Sequence, residues 1–254
     1  NCILGKISLF LGGPACAPVF MAVMGYYLAT SKRSLGGFLK RGSVLFFGGL
    51  LLNATRSANL LYRIYIGEID INPWQFIFGA DILTLAGLSV IVLGLLRLVF
   101  KNKCLPYFAL SLIMAAISPF LIQYGYSEGF KGYINAFFIG VSSWSYFPLF
   151  PWMSYVLAGY AFKLLINKAL WIQTLQIRER LYIFIPGLIV LLLTLPWAIP
   201  VIIDLEGAGG YYHHGILLFL WNLLFISFYL VLITYLDAEF GKSKISSGIR
   251  WIGA

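Results

Sequence analysis

Long runs of apolar residues alternate with short polar or basic segments along the whole chain. A helix that crosses the apolar layer of a bilayer needs about 20 residues at roughly 1.5 Å each. A shorter apolar piece, 135–145, predicts a re-entrant or interfacial helix before the fifth span. The pattern predicts an all-α, polytopic transmembrane bundle of about seven spans: 8–30, 40–62, 74–99, 105–124, 146–167, 181–203 and 214–236.

Composition agrees with this pattern. The chain is 61% hydrophobic and 11% charged, whereas soluble domains carry roughly 25% charged residues. The net charge of +9 does not indicate a nucleic-acid-binding protein, because the basic residues form short clusters between apolar runs instead of one stripe. Cys2, Cys16 and Cys104 are scattered, so their spacing predicts neither a metal site nor a disulfide framework.

The basic clusters fall on alternate loops, as the positive-inside rule requires. We assign 14 of the 18 basic residues to one side, which we expect to be cytoplasmic. The loops on the other side carry Glu68, Asp70, Glu128, Asp204 and Glu206. This alternation predicts an integral, multi-pass membrane protein, whose partner is the lipid bilayer. It also predicts that residue 1 lies on the outer side.

The two ends of the sequence look incomplete. The first residue is Asn1, and 249–254 has the pattern of a helix that is just beginning. We find no internal repeat and no low-complexity linker. The simplest hypothesis is that residues 1–254 are one transmembrane domain, a fragment of a larger domain that lacks terminal helices. The oligomeric state is left open, with a homo-oligomer as one alternative.

Asp81 is the clearest polar residue inside a predicted span, about two turns from its start. A carboxylate at that depth must be paired, protonated or facing water, and such residues are often functional. We expect a catalytic or substrate-binding group in the outer third of the membrane. The alternative is a structural role, as a partner for Arg56 or as a helix cap.

Further polar candidates lie near the same side. Asn53 and Arg56 share one helix face and could hold an anionic or sugar-like ligand, or Arg56 could extend to the interface. His213 and His214 are the only histidines, and histidine suits general base catalysis near neutral pH. A polar interfacial loop is the alternative for this pair.

The segment 142–152 combines hydroxyl and aromatic residues with Pro148 and Pro151. Non-helical backbone at membrane depth is tolerated only where it lines a cavity or is buried in protein. We therefore predict a broken helix here and take Trp144 and Tyr146 as substrate-binding candidates. The same break would also suit a transporter.

The order of several short motifs resembles a known family. Gly12–Gly25 resembles its Pro-x-Phe-Met…Gly helix, and Lys40-Arg41-Gly42 with Asn53 is similar to its Arg-Gly…Asn segment. Ala80-Asp81-Ile82-Leu83, 147–152 and Tyr212-His213-His214 follow in the same order. On these residues the chain resembles the heparan-alpha-glucosaminide N-acetyltransferase-like membrane acyltransferases.

The resemblance implies transfer of an acetyl or other acyl group from acyl-CoA to a sugar amine or hydroxyl on the outer face. It implies catalytic roles for His213, His214 and Asp81. The sugar or glycan acceptor would contact Asn53, Arg56, Trp144 and Tyr146. The phosphates of the donor acyl-CoA would be drawn to Arg41, Lys101 and Arg178 on the basic side.

The family pattern also expects a histidine or aspartate shortly before the Pro-x-Phe helix, at or before Asn1. Three alternatives follow: a preceding segment supplies the base, His213 or His214 supplies it, or the activity is lost. Two other functions remain open. One is a transporter or flippase for a sugar or lipid-linked substrate, with Asp81 as its ion site. The other is a non-catalytic membrane subunit.

Overall fold

The structure is a computed structural model that describes residues 3–125, 129–140, 144–168, 177–204 and 210–240. Within these ranges the chain forms helices and no strand. The ten helices are α1 (Ile3–Leu28), α2 (Leu35–Arg56), α3 (Ala58–Tyr65), α4 (Trp74–Ile77), α5 (Ile82–Phe100), α6 (Cys104–Gly125), α7 (Gly129–Phe138), α8 (Leu149–Lys168), α9 (Ile177–Ile203) and α10 (Ile216–Phe240).

Five of these helices contain stretches long and apolar enough to cross a membrane: Leu35–Arg56, Ile82–Phe100, Cys104–Ile122, Leu149–Lys168 and Ile185–Ile203. Shorter apolar helical stretches, Cys16–Leu28 and Ile216–Leu232, match the first and last predicted spans. The predicted all-α, multi-pass membrane architecture is confirmed.

Two predicted spans are interrupted. The second, 40–62, divides into α2 and the short α3 at Ser57. The third, 74–99, divides into the one-turn α4 and the long α5. Asp81 lies at this second break, so the expectation that it stands two turns inside a helix was wrong. It is the residue immediately before α5, where a free helix N-terminus needs a hydrogen-bond acceptor.

The break expected before the fifth span is present. The predicted span 146–167 begins as a helix only at Leu149, and Phe150 keeps an extended backbone (φ −96°, ψ 121°). Residues 144–148 are not helical, as the closely spaced Pro148 and Pro151 would predict. Within the shorter apolar piece 135–145, α7 ends at Phe138, and residues 141–143 lie outside the described residues.

Glycines set two close helix contacts. A Cβ atom at Gly159 of α8 would collide with the backbone carbonyl of Ala22 in α1, and one at Gly25 would collide with that of Val156. Small residues let backbones approach closely, which drives helix association in membranes. Gly42 and Gly87 serve α2 and α5 in the same way, since a Cβ on either would lie 2.7 Å from the other's carbonyl oxygen.

Helix α8 is the centre of the bundle. It contacts α1, α5, α6, α7 and α10, and most of its residues are buried. Its large side chains Trp152, Tyr155 and Tyr160 are almost fully buried. Since two of these aromatic side chains bear a hydroxyl and one an indole N–H, the centre of the bundle needs polar partners as well as apolar ones.

The bundle has two chemically different ends. At one end, here called the basic face, lie Lys32, Arg33, Lys101 and Lys103. The other, the Asp81 face, carries the end of α2, the start of α5 and the residues before α8 and α10. Helix α5 has 19 residues, so at about 1.5 Å per residue the two faces lie roughly 28 Å apart.

Candidate functional site

Asp81 caps helix α5. Its Oδ1 accepts a hydrogen bond from the backbone N–H of Ile82 at 2.7 Å, and the hydroxyl of Thr84 accepts one from the backbone N–H of Asp81 at 3.0 Å. The Asp81 side chain also accepts from the backbone N–H of Thr84, which with the Thr84 hydroxyl bond makes a capping box and satisfies helix N–H groups that would otherwise lack a partner. A negative charge here also faces the positive end of the helix dipole.

The other oxygen of the carboxylate pairs with α2. Asp81 Oδ2 lies 3.3 Å from Arg56 Nη1, and Arg56 Nη2 donates to Asn53 Oδ1 at 3.4 Å. Asn53 is buried and donates through Nδ2 to the carbonyl of Gly79 at 2.9 Å. The structure thus brings together three predicted site residues, and both structural roles considered for Asp81 are present. The Asp81 side chain keeps 23% exposure and the Arg56 side chain 65%, so the pair remains accessible.

Backbone pairing brings the segment before α8 to the same place. The N–H of Ala80 donates to the carbonyl of Trp144 at 3.0 Å, and the N–H of Phe147 donates to the carbonyl of Ala80 at 2.8 Å. Ala80 and Ser145 form an isolated parallel bridge. Residues 79–81 and 144–147 therefore lie side by side, which places Trp144 and Tyr146 beside the capping aspartate.

Tyr212 completes this group from the loop before α10. Its ring packs edge-on against Tyr146, with 5.4 Å between centroids. Burial raises the pKa of the Tyr212 hydroxyl, and the nearby Tyr146 and the Asp81 carboxylate raise it further. The Tyr212 ring also packs edge-on against Phe147, with 5.2 Å between centroids. Since the N–H of Phe147 donates to the carbonyl of Ala80, the loop before α10 lies against the segment that pairs with the start of α5. We name Asn53, Arg56, Asp81, Tyr146 and Tyr212 the polar cluster.

The loop that carries Tyr212 is held by α8. The indole N–H of Trp152 donates to the Tyr212 carbonyl at 2.9 Å, and the Trp152 ring packs against Tyr211 and His214. Such contacts fix the backbone on both sides of His213. The position of this loop is therefore set by the buried centre of the bundle.

His214 belongs to a buried hydrogen-bond chain. Its Nδ1 lies 2.7 Å from the carbonyl of Tyr211, and its Nε2 lies 2.7 Å from the hydroxyl of Tyr155. A carbonyl can only accept, so Nδ1 carries the proton and Nε2 accepts from the Tyr155 hydroxyl. Asn222 Nδ2 in turn donates to Tyr155 at 2.8 Å. Both nitrogens of His214 are therefore occupied in its neutral form.

Burial lowers the pKa of both imidazoles below the usual 6.5. The pKa of His214 falls to about 4, chiefly because the ring is fully buried, while the Tyr211 carbonyl acts in the opposite direction. Burial is also the cause for His213. Both rings are thus neutral at physiological pH, the form in which histidine can accept a proton.

His213 differs from its neighbour in its contacts. Its backbone N–H donates to Gly210, and among the residues that the structure describes its ring has no hydrogen-bond partner. A general base needs an unoccupied lone pair within reach of the acceptor. The His213 ring has an unoccupied lone pair, whereas that of His214 becomes available only if its bond to Tyr155 breaks. Neither ring is among the hydrogen-bond partners that the described residues give the Asp81 carboxylate.

The predicted donor-binding residues lie elsewhere. Arg41 and Lys101 are exposed, and both lie toward the basic face, Arg41 in the second turn of α2 and Lys101 just after α5. Arg178 is in the first turn of α9, but its side chain lies outside the described residues. The structure therefore separates the donor candidates from the polar cluster along the length of α5.

Three residues with a structural part in this region were not among the sequence candidates: Tyr212, Tyr155 and Asn222. Tyr212 entered the sequence analysis only as part of the Tyr212-His213-His214 motif. Asn222 joins α10 to α8 through its hydrogen bond to Tyr155. A polar residue inside an apolar run was a usable signal for Asn222. Nothing in the local sequence connects Tyr155 with His214, which lies 59 positions away.

Comparison with known proteins decides the family. A family model described as heparan-alpha-glucosaminide N-acetyltransferase, catalytic, matches residues 4–201. The chain belongs to this family. No curated protein and no solved structure matches the chain. Membership of the heparan-alpha-glucosaminide N-acetyltransferase catalytic family confirms the resemblance that the sequence motifs indicated, and it favours membrane acetyltransferase activity.

The family match covers some of the candidate residues and not others. It includes Asn53, Arg56, Asp81, Trp144 and Tyr146, but it ends before the loop with His213 and His214. The family assignment therefore bears on the acidic and aromatic part of the site. The evidence for the histidine loop is its position in the fold, where Tyr212 packs against Tyr146 and its carbonyl accepts from Trp152.

Proposed function

We propose that this protein is a membrane-embedded acyltransferase that moves an acetyl or similar acyl group from acyl-CoA to a sugar amine or hydroxyl at the Asp81 face. The observation that carries the proposal is the accessible Asp81–Arg56 pair of the polar cluster, which lies inside the segment that matches an N-acetyltransferase family. The basic face would be cytoplasmic and would meet the donor.

The acceptor would bind at the polar cluster. Asp81 Oδ2 is shared with Arg56, and the remaining lone pairs of the carboxylate can accept from an amine or hydroxyl of a sugar. The exposed Arg56 guanidinium has further N–H groups for the ligand or for a developing oxyanion. Tyr146 and Trp144 border the same space and would contact the sugar ring.

The reaction is an acyl transfer from the thioester of acyl-CoA to the acceptor. The acceptor nitrogen or oxygen attacks the thioester carbonyl carbon, a bond forms to that carbon, and the carbon–sulfur bond breaks. The acceptor's proton passes to a base, and the coenzyme A thiolate leaves and is protonated. His213 would be this base because its ring has an available nitrogen, while His214 would hold the loop in place.

The donor candidates suit the phosphates of acyl-CoA. Arg41 and Lys101 are exposed cations on the face opposite the acceptor, and arginine and lysine are the usual partners of phosphate. Arg178 would join them. Since about 28 Å separates the two ends of α5, the acyl group would have to be carried most of the way across the bundle on the long arm of its donor.

Acyl transfer can be measured directly on purified protein in lipid nanodiscs, with radiolabelled acetyl-CoA as the donor and methyl glucosaminide as the acceptor. We expect labelled N-acetyl product from the wild type. Arg56→Ala should lower the rate at least about tenfold, since it removes a charged partner from the cluster. Arg63→Ala is a matched control, because Arg63 is an exposed arginine paired with Glu68 instead.

Absence of both donor binding and labelled product would refute the acyltransferase assignment. Proton-coupled uptake of the sugar into vesicles, without any product, would instead support the transporter alternative. A wild-type rate that Arg56→Ala and Arg63→Ala lower equally would place the reaction away from the polar cluster.

A further inference from the structure

A row of four aromatic rings leads along the Asp81 face to the polar cluster. Successive ring centroids are 5.9 Å apart for Trp74 and Phe78, 5.6 Å for Phe78 and Tyr133, and 6.2 Å for Tyr133 and Trp144. The interplanar angles are all between 34° and 40°. We name Trp74, Phe78, Tyr133 and Trp144 the aromatic row.

The row has an exposed end and an end at the site. Trp74 is 53% exposed. The carbonyl of Trp144 accepts from the N–H of Ala80, the residue before Asp81. Trp144 also lies close to Gly79, whose carbonyl binds Asn53. A ligand that moved along these rings would therefore arrive at the polar cluster.

The row also presents hydrogen-bond donors. The Tyr133 hydroxyl accepts from Asn72 Nδ2 at 2.6 Å, which leaves the phenolic proton available for another acceptor. The indole Nε1 of Trp144 is buried and has no partner among the residues that the structure describes. A buried N–H without an acceptor is costly, and natural proteins rarely leave one unless something else binds it.

These two properties together indicate the kind of ligand. A pyranose ring offers apolar C–H faces to aromatic rings and oxygen acceptors to neutral donors. A belt that only touched lipid tails would gain nothing from the two donors, because the tails contain no acceptors. The donors are a phenol and an indole, both uncharged, so hydroxyl and ring oxygens suit them better than a phosphate group.

We infer that the aromatic row is a binding platform for the sugar ring of the acceptor, which guides it from Trp74 to the polar cluster. The inference rests on the proposed function for the identity of the acceptor. It adds a subsite of four rings, of which only Trp144 was a sequence candidate.

Equilibrium binding of tritiated methyl glucosaminide, with no acyl donor present, tests this platform in phosphatidylcholine nanodiscs. Trp74→Ala should weaken binding about 5- to 10-fold, the effect of losing one stacked ring. Trp74→Phe should restore most of the affinity. Tyr133→Phe keeps the ring and removes the hydroxyl, and it should weaken binding about threefold. Trp197→Ala is the matched control, because Trp197 is a similarly exposed tryptophan on α9.

No sugar binding by the wild type would overturn the inference. Equal effects of Trp74→Ala and Trp197→Ala would do the same, since they would identify the row as an interfacial belt. The inference would also be overturned if ethanolamine displaced the bound sugar at the same concentrations as unlabelled methyl glucosaminide does. Because binding is measured without donor, sugar binding without acyl transfer would contradict the proposed function and leave the platform standing.

Discussion

The carboxylate of Asp81 touches two helices at once: it caps α5 through Oδ1 and lies 3.3 Å from Arg56 of α2 through Oδ2. The two roles respond differently to substitution. Capping needs only a side-chain oxygen, which asparagine supplies as well as aspartate does. The ion pair with the Arg56 guanidinium needs the charge, and a carboxylate accepts from a ligand amine or hydroxyl more strongly than a neutral amide oxygen does.

Asp81→Asn should therefore separate the two roles. We expect thermal stability to change by less than about 1 kcal/mol, because the cap survives and the Arg56 side chain is largely exposed. Acyl transfer should fall at least about tenfold, because the charge that orients the acceptor is lost. Asp81→Ala should show the same loss of activity together with roughly 1 kcal/mol of destabilisation. Unchanged activity in Asp81→Asn would reduce Asp81 to a helix cap.

Substitutions of the two histidines should affect different properties: stability for His214 and activity for His213. His214→Phe leaves the Tyr155 hydroxyl and the Tyr211 carbonyl without their buried partner. It should destabilise the protein by about 2–4 kcal/mol. His213→Gln disturbs no side-chain hydrogen bond among the described residues. It should lower acyl transfer by about 100-fold or more, with little change in the unfolding temperature. A normal rate in His213→Gln would exclude this ring as the base.

Stability should depend on pH through His214. Its pKa is about 4 when folded, against the ordinary 6.5. Between these values the unfolded chain binds more protons than the folded one, so stability rises with pH across this window. Acidification from pH 6.5 to 4 should therefore cost on the order of 3 kcal/mol from this group. Above pH 6.5 its contribution should be constant.

Thermal unfolding of wild type and His214→Gln, followed at pH 4 to 8, measures this effect. The difference between the two proteins should shrink as the pH falls below 6.5, because the variant has no imidazole to protonate at this position. His213→Gln is a necessary companion, since burial lowers the pKa of that ring too. A pH-independent difference between wild type and His214→Gln would contradict the buried neutral tautomer.

The glycine contacts between α1 and α8 predict a large effect from a single methyl group. Gly159→Ala would force the new Cβ into the backbone of Ala22, and backbone cannot move as a flexible side chain can. We expect roughly 2–3 kcal/mol of destabilisation, seen as a lower unfolding temperature in detergent. Gly48→Ala is a matched control, because a Cβ there meets nothing within 4 Å. Equal effects of the two changes would mean that α1 and α8 do not approach so closely.

Part of the site could be predicted from single unusual residues in the sequence. A carboxylate and an arginine at the ends of apolar runs are unusual enough to be noticed, and Asn53, Arg56 and Asp81 do lie together. The depth of Asp81 could not be judged, because hydropathy does not distinguish one long helix from a short turn followed by a second helix. The hydrogen bonds of the capping box and the backbone pairing of Ala80 with Trp144 and Phe147 mark the break between α4 and α5.

The histidine pair shows the other limit. Two adjacent histidines look equivalent in the sequence, and both were predicted to be catalytic. The fold gives His214 two hydrogen bonds and leaves the ring of His213 with none among the described residues. The difference comes from which ring points toward α8. That orientation depends on Trp152 and Tyr155, which are remote in the chain.

By itself, the sequence determined the membrane environment, the helical class and the approximate position of the spans. These follow from the length and composition of local segments, since a bilayer imposes nearly the same requirement on every segment that crosses it. Only the structure decided that Asp81 caps a helix, that Tyr212 packs against Tyr146, and that Tyr155 holds His214. The cap is local, but hydropathy does not reveal it, whereas the other two relationships join elements far apart in the chain and exist only once the helices have packed.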